Sequence, residues 1–160
     1  MAELTGATIA PGDLAEVYTR TVVDIGTRMF DDEGNEYIFL VGVASTVVGS
    51  WVTYDEAGLT TLLAANAVGP VAIAMAAIVA DKLGWYQIYG KAQGVATDNM
   101  DDNGTSIGRT GADGQVGVGP VAGDLIYNVV CRSSLADGNT TLVSTFQISY
   151  PFVDDQTAAH

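Results

Sequence analysis

The stretch Thr27-Arg28-Met29-Phe30-Asp31-Asp32-Glu33-Gly34-Asn35-Glu36-Tyr37-Ile38-Phe39-Leu40-Val41-Gly42-Val43 decides the fold. Two strand-like runs, Thr27–Phe30 and Glu36–Val43, flank the tip Asp31–Asn35. That acidic, Gly-containing tip supplies the positive-φ positions that a turn needs, so the segment reads as a β-hairpin. In its second run Tyr37, Phe39 and Val41 share one face, while Ile38, Leu40 and Gly42 share the other. Both faces are apolar, which predicts a central strand.

Working outward, the same pattern recurs. Trp51–Tyr54 and Leu59–Leu63 form a second hairpin through Asp55-Glu56-Ala57-Gly58; a helix over Glu56–Asn66 is the rival, weakened by Gly58 and the pair Thr60-Thr61. Val71, Ile73 and Met75 alternate with Ala72, Ala74 and Ala76, predicting a buried strand over Val71–Ala80 that starts after Pro70 and has a small-residue face. Trp85–Tyr89 and Leu125–Arg132 read as strands, the latter followed by the turn Ala136-Asp137-Gly138-Asn139. The final strand carries Leu142, Ser144, Phe146, Ile148 and Tyr150 on one side, and Pro151 is expected to end its ladder. Thr97–Gly119 reads as a long glycine-rich loop. Asp13–Asp24 fits a short helix or a strand, and the β-branched run to Val23 favours strand. The units Gly49–Tyr54 and Gly123–Tyr127 resemble each other, a weak hint of duplication.

The predicted architecture is an all-β, single-domain antiparallel β-sandwich or barrel of roughly eight strands with long Gly-rich loops. Residues 1–12 form an extended N-terminal arm, 13–153 the β domain, and 154–160 a tail that frays.

With 160 residues the chain can bury a sizeable core. The formal charge of −13, with six Lys and Arg, leaves no basic stripe for nucleic acid and would be repelled by an anionic membrane. A positively charged protein surface would attract it. Leu62–Ala80 is uncharged, but Asn66 and Gly69-Pro70 interrupt it, so a strand is preferred to a membrane helix. No basic segment followed by an apolar one opens the chain, and no signal peptide is expected. Cys131, the one cysteine, reads as a small buried hydrophobe.

Catalytic chemistry finds little to work with. The one histidine is His160, so neither a nucleophile–base pair nor a histidine or thiolate metal cluster is expected, and no cofactor is called for. The lysines are Lys82 and Lys91, neither in a phosphate-loop context, and the Gly114, Gly117, Gly119, Gly123 spacing misses the dinucleotide pattern. The carboxylates Asp31, Asp32, Glu33 and Glu36, and Asp98 with Asp101 and Asp102, read as solvated turns rather than calcium loops, because EF-hand frames fail at Met100 and Ser106. Paired carboxylates among Trp51, Trp85, Tyr86 and Tyr89 could serve a glycosidase, but mid-strand aromatics belong more often to cores or subunit interfaces. These four are the candidate oligomer-interface residues.

The stretch Ile25–Leu40, with Gly26-Thr27 before the acidic hairpin, resembles a segment of head-associated virion proteins of tailed bacteriophages. Gly42-Val43-Ala44, Gly49–Asp55, Gly69–Ala74, Gly84–Gly90 and Gly123–Tyr127 continue the likeness, over about Gly26 to Val130. The resemblance implies a virion structural protein of the capsid decoration (cement) type. Such a protein is β-rich and often trimeric. It is made in the bacterial host cytoplasm and binds the major capsid protein on the capsid exterior, without catalysis. An N-terminal arm carrying Leu4, Thr5, Thr8, Ile9 and Pro11 would suit strand addition to a neighbouring sheet. The alternatives are a receptor- or glycan-binding fibre module using Trp51 and Trp85 as platforms, and a tail-tube or head–tail connector subunit.

Overall fold

The computed structural model describes residues 13–97, 100–120, 123–135 and 142–155. A 3-10 turn, Asp13–Ala15, precedes ten strands: β1 Arg28–Phe30, β2 Glu36–Val41, β3 Trp51–Tyr54, β4 Thr60–Leu62, β5 Val68–Ala74, β6 Leu83–Ala96, β7 Ile107–Arg109, β8 Val116–Val118, β9 Ile126–Cys131 and β10 Leu142–Asp154. The chain is all-β. One sheet runs in the order β1-β2-β6-β10-β5-β3-β4, with β9 on β10 and the β7–β8 pair joined through β8 to β6. The β6–β8 contact, Ala96 opposite Val116, is parallel, and the other pairings are antiparallel.

The hairpin forms as the sequence predicts, with Phe30 opposite Glu36 and Arg28 opposite Ile38. Its tip is held by one carboxylate. Asp31 Oδ1 accepts from the Glu33 and Asn35 amides, and Oδ2 accepts from Asn35 Nδ2 and the Tyr37 hydroxyl. Gly34, at φ 84°, makes the turn in the left-handed region. β2 is bonded on both edges, to β1 and β6, and is buried on both faces.

Its two faces enter two different clusters. Tyr37 and Phe39 join Trp85 and are covered by Leu14, Tyr18 and Val23. Ile38 and Leu40 join Val52, Ala72, Ala74, Ala76, Ile78, Tyr86 and Ile88. The largest cluster lies across β5, where Val71 and Ile73 meet Trp51, Ala92, Met100, Ile107, Val116, Ile126 and Phe146. There the Trp51 ring meets Phe146 edge-on, with centroids 5.0 Å apart, and the Trp51 indole N–H donates to Val95 O at 3.2 Å. Burying the indole with its N–H paired avoids the cost of an orphaned donor.

Several sequence expectations are corrected. The preferred strand after Asp13 is a 3-10 turn plus a single bridge, Tyr18 to Leu83. Farther along, the edge of β6 is already taken by β5, where Ala74 pairs with Tyr86. β5 ends at Ala74; Ala76 and Ile78 still point inward, but from a loop that crosses Gly42 so closely that a Cβ there would lie 2.0 Å from Ile78 O. Leu62–Ala80 is divided between β4, β5 and loops, and no helix among the described residues is long and apolar enough to cross a membrane. The segment after Thr97 is a lid on the largest cluster rather than a free loop, because Met100, Ile107 and Val116 are buried there. Pro151 does not end β10. Tyr150, at φ 51°, forms a bulge, and the strand runs on through Pro151 to pair with β5. The arm 1–12 with Leu4, Thr5, Thr8, Ile9 and Pro11, Asp98, the turn 136–139 and His160 lie outside the described residues.

Gly94 sits against the Trp51 indole, and a Cβ there would fall 2.6 Å from Nε1 and 2.8 Å from Cε2. The buried ring has no room to yield, so Gly94→Ala is expected to cost about 2–3 kcal/mol by overpacking. Urea unfolding should show a lower midpoint with an unchanged slope.

Candidate interaction surface

The four aromatic residues expected at an oligomer interface separate sharply. Trp51 and Tyr86 are 0% exposed and Trp85 is 3% exposed; only Tyr89, at 38%, reaches the surface. The first three are core residues and supply neither a subunit contact nor a saccharide platform. The Ala72, Ala74 and Ala76 face is likewise closed, covered within the chain by Ile38, Leu40, Val52 and Ile78. The trimer expected from those surfaces loses this basis.

A different aromatic group is displayed instead. It is built around Glu36, a nearly buried carboxylate at the start of β2. A buried carboxylate is tolerated when it is paired and hydrogen-bonded. Glu36 Oε1 takes Arg28 Nη1 at 3.3 Å from β1, and Oε2 accepts the Tyr150 hydroxyl at 2.5 Å from β10. These bonds pin three strands together and fix the Tyr150 ring. Tyr89 lies beside that ring, centroids 5.4 Å apart, and the Arg28 guanidinium carbon sits 5.9 Å from its centroid. The hydrogen bond to Glu36 holds the Tyr150 proton and raises its pKa above the ordinary phenol value.

Two local distortions bring these rings outward. β6 carries an irregularity between its pairings with Glu36 and Tyr37, followed by Gly90 at φ 103°. Gln87 fills the bend, its Nε2 donating to Tyr89 O at 3.1 Å and Lys91 O at 3.0 Å. In β10 the left-handed Tyr150 leaves Ser149 and Tyr150 both exposed, before Pro151 and Val153 return inward. Phe152 then faces out, opposite Pro70 on one side and Tyr127 on the other. Past Pro70, Val68 enters an open groove of about 420 Å³ lined also by Thr53, Tyr54, Asp55, Leu59 and Thr60. Burial raises the Tyr54 pKa above the ordinary phenol value.

Among the described residues no group of three or more His, Cys, Asp or Glu is placed to hold a metal ion. The carboxylates of the hairpin serve the scaffold: Asp31 caps the turn and Glu36 binds Arg28 and Tyr150. Asp101 and Asp102 are exposed in a turn closed by the Gly104 amide on Asp101 O. No protein-family model, curated protein or solved structure matches the chain.

The hairpin register could have placed Arg28 and Glu36 near each other, since Phe30 is opposite Glu36 on the strand that carries Arg28. Nothing local indicated Tyr150, which meets Glu36 across 114 positions.

Asp31 offers a pH test of the hairpin. Desolvation would raise its pKa, but the bonds from the Asn35 side chain and amide, the Tyr37 hydroxyl and the Glu33 amide outweigh it and lower the value. A lowered native pKa means stability that is present above the unfolded value and lost as pH falls through the native one. Asp31→Asn should therefore cost about 1 kcal/mol near neutrality. Urea melts across the acid range should show the gap to wild type closing as pH drops below the native value.

Proposed function

We propose that this chain is a structural protein of a tailed-bacteriophage virion, a capsid decoration protein that binds the outside of the major capsid shell and stabilises it. The observation that carries the reading is the displayed aromatic surface around Glu36 on an otherwise acidic, all-β chain. Tyrosine and arginine held in fixed positions are the residue types that anchor protein contacts at low entropic cost. The likeness to head-associated virion proteins over about Gly26 to Val130 supports the same reading, since it spans the hairpin that builds this surface. On this reading the chain is not an enzyme, and three of its buried polar side chains make scaffold bonds. Gln87 bridges two main-chain carbonyls, Asn35 Oδ1 accepts the Lys91 amide, and Glu36 joins three strands.

A glycan-binding role would have to use Tyr89 and Tyr150, because Trp51 and Trp85 are enclosed. Co-sedimentation with expanded empty capsids separates the two. Saturable binding to capsids, unaffected by saccharides, is expected. Binding to tails or glycans with none to capsids would overturn the assignment.

A further inference from the structure

On the reading that the chain decorates a capsid, we propose that the face formed by Phe30, Val68, Tyr89, Tyr150 and Phe152, anchored by Arg28, is the docking surface, and that its partner is a protein surface with basic residues around an apolar centre.

The face is continuous. Tyr89 and Tyr150 are in ring contact, Phe152 is opposite Pro70, and Val68 lies two residues along the same strand in the groove with Tyr54 and Leu59. Phe30 is opposite Glu36 on the hairpin. These large apolar side chains are 38% to 64% exposed. A monomer gains nothing by leaving such side chains in water, and grouped exposure of this kind marks an interaction site.

Charge identifies the occupant. Arg28 is bound to Glu36 at the centre of the face, so the pair adds no net charge there. Around it stand Asp32 and Glu33 on the hairpin tip and Asp55 in the groove, against one exposed cation, Lys91, two residues from Tyr89 on β6. The rim of the apolar floor is therefore predominantly acidic. A second copy docked face to face would bring acidic rim against acidic rim, which costs affinity. A basic rim on a different protein would be steered in and held.

The test uses the whole chain and expanded empty capsids in co-sedimentation, at low and moderate salt, with circular dichroism of every variant. Phe152→Glu and Val68→Glu should each weaken binding by about tenfold or more, since a charge enters the apolar floor. Two variants keep the test valid should one misfold. Asp32→Lys combined with Glu33→Lys reverses exposed rim charges and should weaken binding while flattening its salt dependence. Val48→Glu, an exposed apolar position outside the face, should bind like wild type. If folded Phe152→Glu and Val68→Glu bind as well as wild type, the face is wrong and the decoration role stands. If wild type is an oligomer that Phe152→Glu converts to monomers, the occupant is a second copy and the proposal falls. If wild type does not bind capsids, the functional reading fails and the proposal fails with it.

Discussion

Strand β6 has to serve three buried clusters with one backbone. Trp85 belongs to the cluster under the N-terminal segment, Tyr86 and Ile88 to the cluster between β2 and β5, and Ala92 and Ala96 to the largest one. Among the described residues no other strand contributes to all three. At 14 residues β6 would span roughly 45 Å if fully extended, too long to follow one curved layer without a break. The break falls between Gln87 and Lys91: on one edge β5 pairs as far as Gln87 and β10 takes over from Tyr89, while on the other β2 ends at Tyr89. Backbone groups freed at such a bend must find new partners. Gln87 Nε2 takes two of the carbonyls, and Asn35 Oδ1 takes the Lys91 amide at 2.9 Å. Gly90 lets Asn35 approach, since a Cβ there would lie 2.0 Å from its Oδ1.

The same bend sorts the aromatic side chains. Before it, Trp85 and Tyr86 are enclosed on opposite faces of β6; the Tyr86 hydroxyl is so desolvated that its pKa is pushed up to about 12. Within it, Tyr89 turns to solvent and meets Tyr150 from β10. Glu36 is where the scaffold and the surface meet, since it is buried like a core residue and binds side chains that face outward. The display is therefore a consequence of how the sheet bends, and the rings are fixed before any partner arrives.

What could be read in the sequence followed local pattern. Period-two alternation and the Asp31–Asn35 tip revealed the first hairpin, and Asp55–Gly58 revealed the second, because turns and pleats are properties of a few adjacent residues. Pro151 misled because a proline was weighed alone, while a left-handed Tyr150 just before it lets the ladder resume. Thr97–Gly119 misled because glycines hid the spaced apolar residues Met100, Ile107 and Val116, whose burial depends on strands far away. Trp51 and Trp85 suggested a surface because large aromatics serve cores and interfaces equally well, and only the pairing of β3, β5 and β6 decides between them. The Arg28–Glu36–Tyr150 unit depends on a register across two sheet partners, which no window of sequence contains.

If β6 binds the three clusters into one sheet, they must unfold together. Trp51 reports on the largest cluster and Trp85 on the one under the N-terminal segment. Urea unfolding of Trp85→Phe and of Trp51→Phe, each followed by the remaining indole's fluorescence and by far-ultraviolet circular dichroism, measures this directly. In each variant the two signals should change in a single transition with one midpoint. Loss of the Trp85 signal at lower urea than the loss of sheet would show that the β1–β2 layer opens on its own, contradicting the role given to β6.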